Sequence, residues 1–335
     1  MDFQLKLDIK KPSSFISYED KLLLIGSCFT EHIGKGLADL KFNVLQNPNG
    51  ILFGADAVAS SLISYIQPKT YTAADLFQLN DCWNSWHHHS RFSHVNQSSC
   101  LEQINESQKN AHKFLQSASW LIITLGSAFT YELSESAHKS NLAKGDAVAN
   151  CHRAPASWFE KRLMTVEAIV EKLENSFDAL MKFNPSLKIM ITISPVRHIR
   201  DGVVENNRSK ARLIEAVNQL QEKIPSLYYF PAYELVIDIL RDYRFFDIDM
   251  VHPNYAATEY VMERFTESCI DPAILSLSQE VKKIVIASRH RPMQPDTNLH
   301  KNFLEQQMEK AQELMRLYPF INLREELQSF QKQLH

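Results

Sequence analysis

Three short, almost wholly apolar runs constrain this chain more than anything else in it. Residues 22–25, 120–125 and 188–193 are each rich in Leu or Ile, and each is followed by a small or polar residue. Strands of this kind have no polar face to give to water, so both of their faces must be covered. Helix-period stretches lie around them, at 30–40, 57–66, 104–116 and 166–183. The alternation predicts an α/β fold, a three-layer α/β/α arrangement with helices on both sides of a central parallel sheet. A weaker strand pattern at 227–230 follows a long polar helix, 209–223, and Asn254 is placed to cap a further helix running to about Phe265.

The rest of the chain divides around this core. Residues 1–275 read as the α/β body, with two irregular insertions at 78–100 and 134–158. Residues 276–335 read as a C-terminal helical extension: after the Arg291-Pro292-Met293-Gln294-Pro295 break, apolar residues recur at helical spacing from Leu304 to Tyr318. That helix is expected either to pack on the body or to join two copies of the chain. A net charge of -3 offers no basic surface for nucleic acid or anionic lipid. No apolar run approaches the ~18–20 residues that span a bilayer, and Met1-Asp2-Phe3-Gln4 does not open like a signal peptide, so a cytoplasmic location is expected. The five cysteines, Cys28, Cys82, Cys100, Cys151 and Cys269, show no CxxC spacing, which argues against both a disulfide framework and a zinc knuckle. His87, His88 and His89 are consecutive and project different ways, so with His94 they make a poor chelate; neither a metal nor another cofactor is expected.

Two strings carry chemistry. In Gly26-Ser27-Cys28-Phe29 a buried-strand pattern runs directly into a helix, which sets the Ser27 hydroxyl at a strand's carboxyl end beside a helix N-terminus. Open α/β sheets bind ligands there, and helix N-termini favour developing negative charge. In Asp249-Met250-Val251-His252 the spacing lets the carboxylate reach one imidazole nitrogen and leaves the other for a nucleophile. A hydroxyl, a base and an orienting carboxylate are the parts of acyl transfer through a covalent intermediate. Each string alone has a plainer reading, a helix-entry Ser and a solvated capping pair. Cys28 is a rival nucleophile, though cysteines are among the most often buried residues.

At this point the chain resembles the GSCFA-domain family, which is similar to the SGNH, or GDSL-like, hydrolases. The resemblance spans most of residues 20–265. It rests on Leu24-Ile25-Gly26-Ser27-Cys28-Phe29, Asn47-Pro48-Asn49-Gly50-Ile51-Leu52-Phe53, Thr124-Leu125-Gly126-Ser127-Ala128-Phe129-Thr130-Tyr131-Glu132, Asn150-Cys151-His152, Ser194-Pro195-Val196-Arg197-His198 and Asp249-Met250-Val251-His252-Pro253. It implies an SGNH-hydrolase or flavodoxin-like fold with Ser27 as nucleophile, His252 as base and Asp249 as its orienter. It also implies an oxyanion hole made by the backbone N–H groups of Ser27 and Gly50. One departure stands out: where the related enzymes carry an oxyanion-binding Asn two residues after a motif glycine, here Gly126, this chain has Ala128. Asn49, Asn150 and His88 are the candidate replacements.

The expectation is therefore a serine esterase acting on a small or carbohydrate-borne O-acyl group, acetyl in the first instance. The same site run with an acceptor hydroxyl would make an acyltransferase, and the loss at Ala128 keeps open a ligand-binding protein on the same fold. Trp83, Trp86 and His88 are candidates to line a substrate pocket, and Arg197 to hold an anionic group; Arg197 is alternatively a structural partner of Asp201 or Glu205.

Overall fold

The apolar runs fold as expected, as strands with both faces buried. The computed structural model describes residues 5–137 and 145–334; the N-terminal tetrapeptide and the middle of the 134–158 insertion lie outside them. In chain order the elements are β1 (Lys21–Gly26), α1 (Cys28–Asp39), β2 (Asn43–Gln46), α2 (Ala55–Ile66), β3 (Phe77–Leu79), β4 (Cys82–Asn84), α3 (Gln97–Leu115), β5 (Trp120–Leu125), β6 (Phe129–Leu133), β7 (Phe159–Leu163), α4 (Val166–Phe183), β8 (Lys188–Ile193), α5 (Val203–Lys223) and β9 (Tyr228–Tyr229). There follow α6 (Ala232–Glu234), which continues as a π-helical turn, then α7 (Tyr255–Cys269), α8 (Leu275–Arg289), α9 (Asn298–Leu317) and α10 (Arg324–Leu334).

The main sheet is parallel, with strand order β2-β1-β5-β8-β9. Counting only its own strands, this is the 2-1-3-4-5 order of flavodoxin-like sheets, whose direction of winding reverses between the first and third. Alternate residues of each strand feed opposite cores. Leu22 and Leu24, with Trp120, Ile122 and Met190, pack against α1 and α7. Leu23 and Ile25, with Leu121, Ile123, Ile191 and Ile193, pack against α2, α4 and α5. This alternation is why almost wholly apolar runs were needed.

The C-terminal helices are not a detached tail. Val281 and Ile284 of α8, Leu304 and Ala311 of α9, and Phe330 of α10 join the same core as α1 and α7. The docking reading of that extension thus accounts for its apolar stripe. No helix among the described residues is long and apolar enough to cross a membrane.

Several elements escaped the sequence reading, β2 and two hairpins among them. Strand β2 lies at the sheet edge and is only partly buried, so its apolar signal is weak. The 78–100 insertion is ordered: β3 and β4 form a hairpin and α3 already begins at Gln97. The second insertion is flanked by another hairpin, β6 with β7.

The strand-to-helix junction depends on one residue. Gly26 has φ +144°, and a Cβ there would stand 2.2 Å from the Thr124 carbonyl oxygen. A backbone atom cannot yield as a side chain can. Gly26→Ala is expected to destabilise the fold by about 2–3 kcal/mol or more, read as a lower urea midpoint; a loss below about 1 kcal/mol would contradict this account.

Candidate active site

Ser27 lies at the sheet's reversal point, where β1 and β5 are neighbours and the chain leaves them toward opposite faces. It is the N-cap of α1, with extended backbone, and its Oγ accepts the Phe29 N–H at 3.3 Å. Accepting that bond leaves its own proton free to be given away. The residue is almost wholly buried. Cys28 follows as the first residue of α1, and burial raises its thiol pKa. That shift disfavours the Cys28 thiolate, the reactive form of a cysteine.

Asp249 and His252 are brought together as their spacing predicts. Asp249 Oδ2 meets His252 Nδ1 at 2.6 Å, while Oδ1 accepts the backbone N–H groups of Val251 and His252 at 2.9 and 3.0 Å. The His252 side-chain bond, and then those two N–H groups, hold the Asp249 carboxyl down at about 2, so it is ionised through the whole neutral range. Asn254 then caps α7 through the Ala257 N–H, as read from the sequence. Among the described residues no hydrogen bond joins Ser27 Oγ to His252. On α1, five residues beyond Ser27, desolvation lowers the pKa of His32 against the opposing charge of Glu31.

Arg197 serves this loop. Its backbone N–H donates to Val251 O and its guanidinium to Met250 O, both at 3.2 Å. The guanidinium also stacks over Phe246 at 3.9 Å and Tyr243 at 5.2 Å. Met250 is the left-handed residue of the turn, with φ 58°. Asp201 and Glu205, the alternative partners, pair instead with Lys161 and Arg208.

Several other expectations are corrected. Trp86 is buried and stacked on Phe77 with ring centroids 3.7 Å apart, so it offers no face to a substrate. His88 is fully buried, with Nδ1 on Ser85 Oγ at 2.9 Å and its ring against Tyr71 and Phe92. Trp83 is half-buried against the small cluster around Tyr71 and Phe92. Both N–H groups assigned to the oxyanion hole already have acceptors: Ser27 donates to Thr124 O at 3.1 Å and Gly50 to Asn47 O at 2.7 Å. Asn49 donates its amide to His87 O, and Asn150 turns its side-chain oxygen to the His152 N–H. Ala128 is buried, its N–H on Ser209 Oγ at 2.8 Å. No cluster of three or more His, Cys, Asp or Glu suited to a metal occurs among the described residues.

The structure adds residues that sequence reasoning missed. Lys210 is buried beneath the strand ends, donating to Gly126 O at 2.7 Å and Ser194 O at 2.6 Å. Desolvation lowers its pKa to about 7. His198 Nε2 shares the Gly126 carbonyl at 3.2 Å. Asn47, at the carboxyl end of β2, accepts the Gly26 N–H on Oδ1 at 2.9 Å. Neither Asn47 nor Lys210 carried a clear signal: β2 is too polar to mark Asn47 as a strand-end residue, and Lys210 is a lysine in a polar helix.

Comparison with known proteins gives the family of the chain. The family model described as the GSCFA family matches residues 21–265, and one described as the GSCFA domain protein, C-terminal domain, matches 281–335. The chain belongs to the GSCFA family. No curated protein matches it. Among solved structures it is similar to a carbohydrate esterase family 3 protein from Talaromyces cellulolyticus, at 9% identity and TM-score 0.36, over 78% of this chain and 99% of that one. It is also similar to an acetyl xylan esterase from the rumen bacterium Butyrivibrio proteoclasticus, at 11% identity and TM-score 0.37 over 75% of this chain. It spans only 64% of the latter's length.

Three desolvated histidines, His88 and His152 buried and His198 half-buried, make the fold sensitive to acid. Desolvation is the first cause in each, and holds His88 at about 3 and His152 and His198 at about 4. The unfolded chain takes up these protons near 6.5, so between that value and about 4 it binds more protons than the folded one. Stability is then full above about pH 6.5 and falls as the pH drops toward 4. Urea midpoints measured from pH 7.5 to 4.5 are expected to decline steeply on the acid side, and less steeply in His198→Gln. An unchanged slope in that variant would exclude His198 as a contributor.

Proposed function

We propose that this GSCFA-family chain is a serine hydrolase of ester bonds, an O-acyl esterase acting on a small or carbohydrate-borne ester, with acetyl the first acyl group to test. The observation that carries the reading is the Asp249–His252 pair. The carboxylate is ionised and fixed by three hydrogen bonds, one of them on His252 Nδ1. That bond sets the tautomer with the proton on Nδ1 and leaves Nε2 as the basic nitrogen. Ser27, at the reversal point of the sheet and the start of α1, supplies the hydroxyl.

In this reading Ser27 Oγ attacks the ester carbonyl as its proton passes to His252 Nε2. His252 returns the proton to the departing alcohol, Asp249 stabilises the imidazolium, and water repeats the sequence to free the acid. An acceptor hydroxyl in place of water would give acyl transfer. The occupied N–H groups of Ser27 and Gly50, with Ala128, favour a second reading, a ligand-binding protein without turnover.

A fluorophosphonate probe is expected to modify Ser27, with the adduct located by mass spectrometry, and to fail in Ser27→Ala. His252→Ala should label at least about 10²-fold more slowly. Hydrolysis of p-nitrophenyl acetate and acetylated sugars should follow the same order. A wild-type chain that binds acetylated sugars yet neither labels nor hydrolyses would favour the binding reading.

Arg197 provides a separate check. As the clamp on the DxxH loop it should act on rate: Arg197→Ala is expected to lower kcat by about 10-fold or more with KM little changed. If Arg197 instead held an anionic substrate group, KM would rise while kcat stayed.

A further inference from the structure

The backbone N–H groups of Ser27 and Gly50 and the side-chain amide of Asn49 are occupied, and among the unpaired buried donors of the described residues one, Asn47 Nδ2, belongs to the side chain that holds the Gly26 N–H. Asn47 is fully buried at the carboxyl end of β2, beside the end of β1 from which Ser27 follows. Its backbone N–H bonds to Leu24 O, and its carbonyl accepts the Gly50 N–H and the Arg91 guanidinium. Its Oδ1 accepts the N–H of Gly26, the residue before Ser27. Because only the amide oxygen can accept that N–H, the orientation of the side-chain amide is fixed. Among the described residues the nitrogen Nδ2 then has no acceptor, although it is shielded from solvent. A buried amide donor left unpaired in a native fold is costly and calls for a ligand or a role.

Resting on the esterase reading above, we infer that Asn47 Nδ2 is the side-chain donor to the oxyanion formed at Ser27, in place of the donor missing at Ala128. In the acylation step the Ser27 Oγ–carbonyl carbon bond forms and the Ser27 proton moves to His252 Nε2. The carbonyl π pair moves onto oxygen, and that oxyanion takes the hydrogen bond from Asn47. The C=O bond re-forms as the alkoxide leaves with the proton from His252. A donor anchored by its other end to Gly26 needs no reorganisation when the charge appears, which is the condition for a large effect on rate. The same anchor ties its position to the backbone that carries the nucleophile.

Asn47→Asp separates this role from a purely structural one. The substitution keeps an oxygen for the Gly26 N–H and removes the donor. With the variant folded, kcat on p-nitrophenyl acetate is expected to fall about 10²–10³-fold while KM changes less than about 3-fold. Phenylboronic acid, which forms a tetrahedral anion on the serine, should lose affinity by a comparable factor. A folded variant that keeps kcat within about 10-fold of wild type, beside a wild type that is active and labels at Ser27, overturns the role of Asn47 alone. A wild type that neither hydrolyses nor labels overturns the esterase reading and this inference with it. Should Asn47→Asp fail to fold, the wild-type chain decides: with ¹⁵N-labelled asparagine side chains, the Asn47 amide resonance must move when Ser27 is phosphonylated. A resonance that stays in place overturns the inference.

Discussion

The structure depends on the peptide between Gly26 and Ser27. Two segments hold it and the peptide before it, through three hydrogen bonds. Asn47 Oδ1 takes the Gly26 N–H, the Leu52 N–H donates to Gly26 O, and Thr124 O takes the Ser27 N–H. The first two belong to the loop after β2 and the third to the end of β5, the two neighbours of β1 in the sheet. The positive φ of Gly26 lets the chain leave the strand at this angle, and the Thr124 carbonyl presses so close that no side chain fits. A serine held this way is placed by the sheet itself, before any base or substrate arrives. That is the pre-organisation a reactive hydroxyl needs, and also what makes the junction intolerant of change.

The other half of the site is fixed differently. Asp249 is exposed, and its position comes from hydrogen bonds within one tight turn together with Arg197. Arg197 follows the end of β8, so the same sheet positions the Asp249–His252 turn through a guanidinium and not through strand pairing. One half is rigid and buried, the other a surface loop with a left-handed residue at its centre. Loops of this kind open at lower free energy than strand ends do.

How much of this was legible in the sequence follows from where each signal is written. β1, β5 and β8 were readable because burial on both faces demands unbroken apolar runs, whereas edge strand β2 needs no such run. Asp249 and His252 were readable because their interaction is local, three residues apart. Asn47 and Lys210 were not, since their partners lie at distant positions: Gly26 for the first, Gly126 and Ser194 for the second. The aromatic and histidine-rich stretch misled for a related reason. A run of Trp and His has the same composition whether it faces a ligand or, like Trp86 and His88, fills a small core of its own.

The buried polar groups share one logic. Lys210, His198 and Asn47 all bond to backbone at the carboxyl ends of β1, β5 or β8, where strand carbonyls and N–H groups run out of ladder partners. An apolar side chain there would leave those backbone groups unsatisfied, at a cost of about 1–3 kcal/mol each. Polar residues are thus required at this end of the sheet by backbone hydrogen bonding alone. A fold that must already bury amides and amines around a strand-end serine needs few further changes to direct one of them at a substrate. Asn47 fits that description, since one end of its amide satisfies the backbone and the other remains uncommitted.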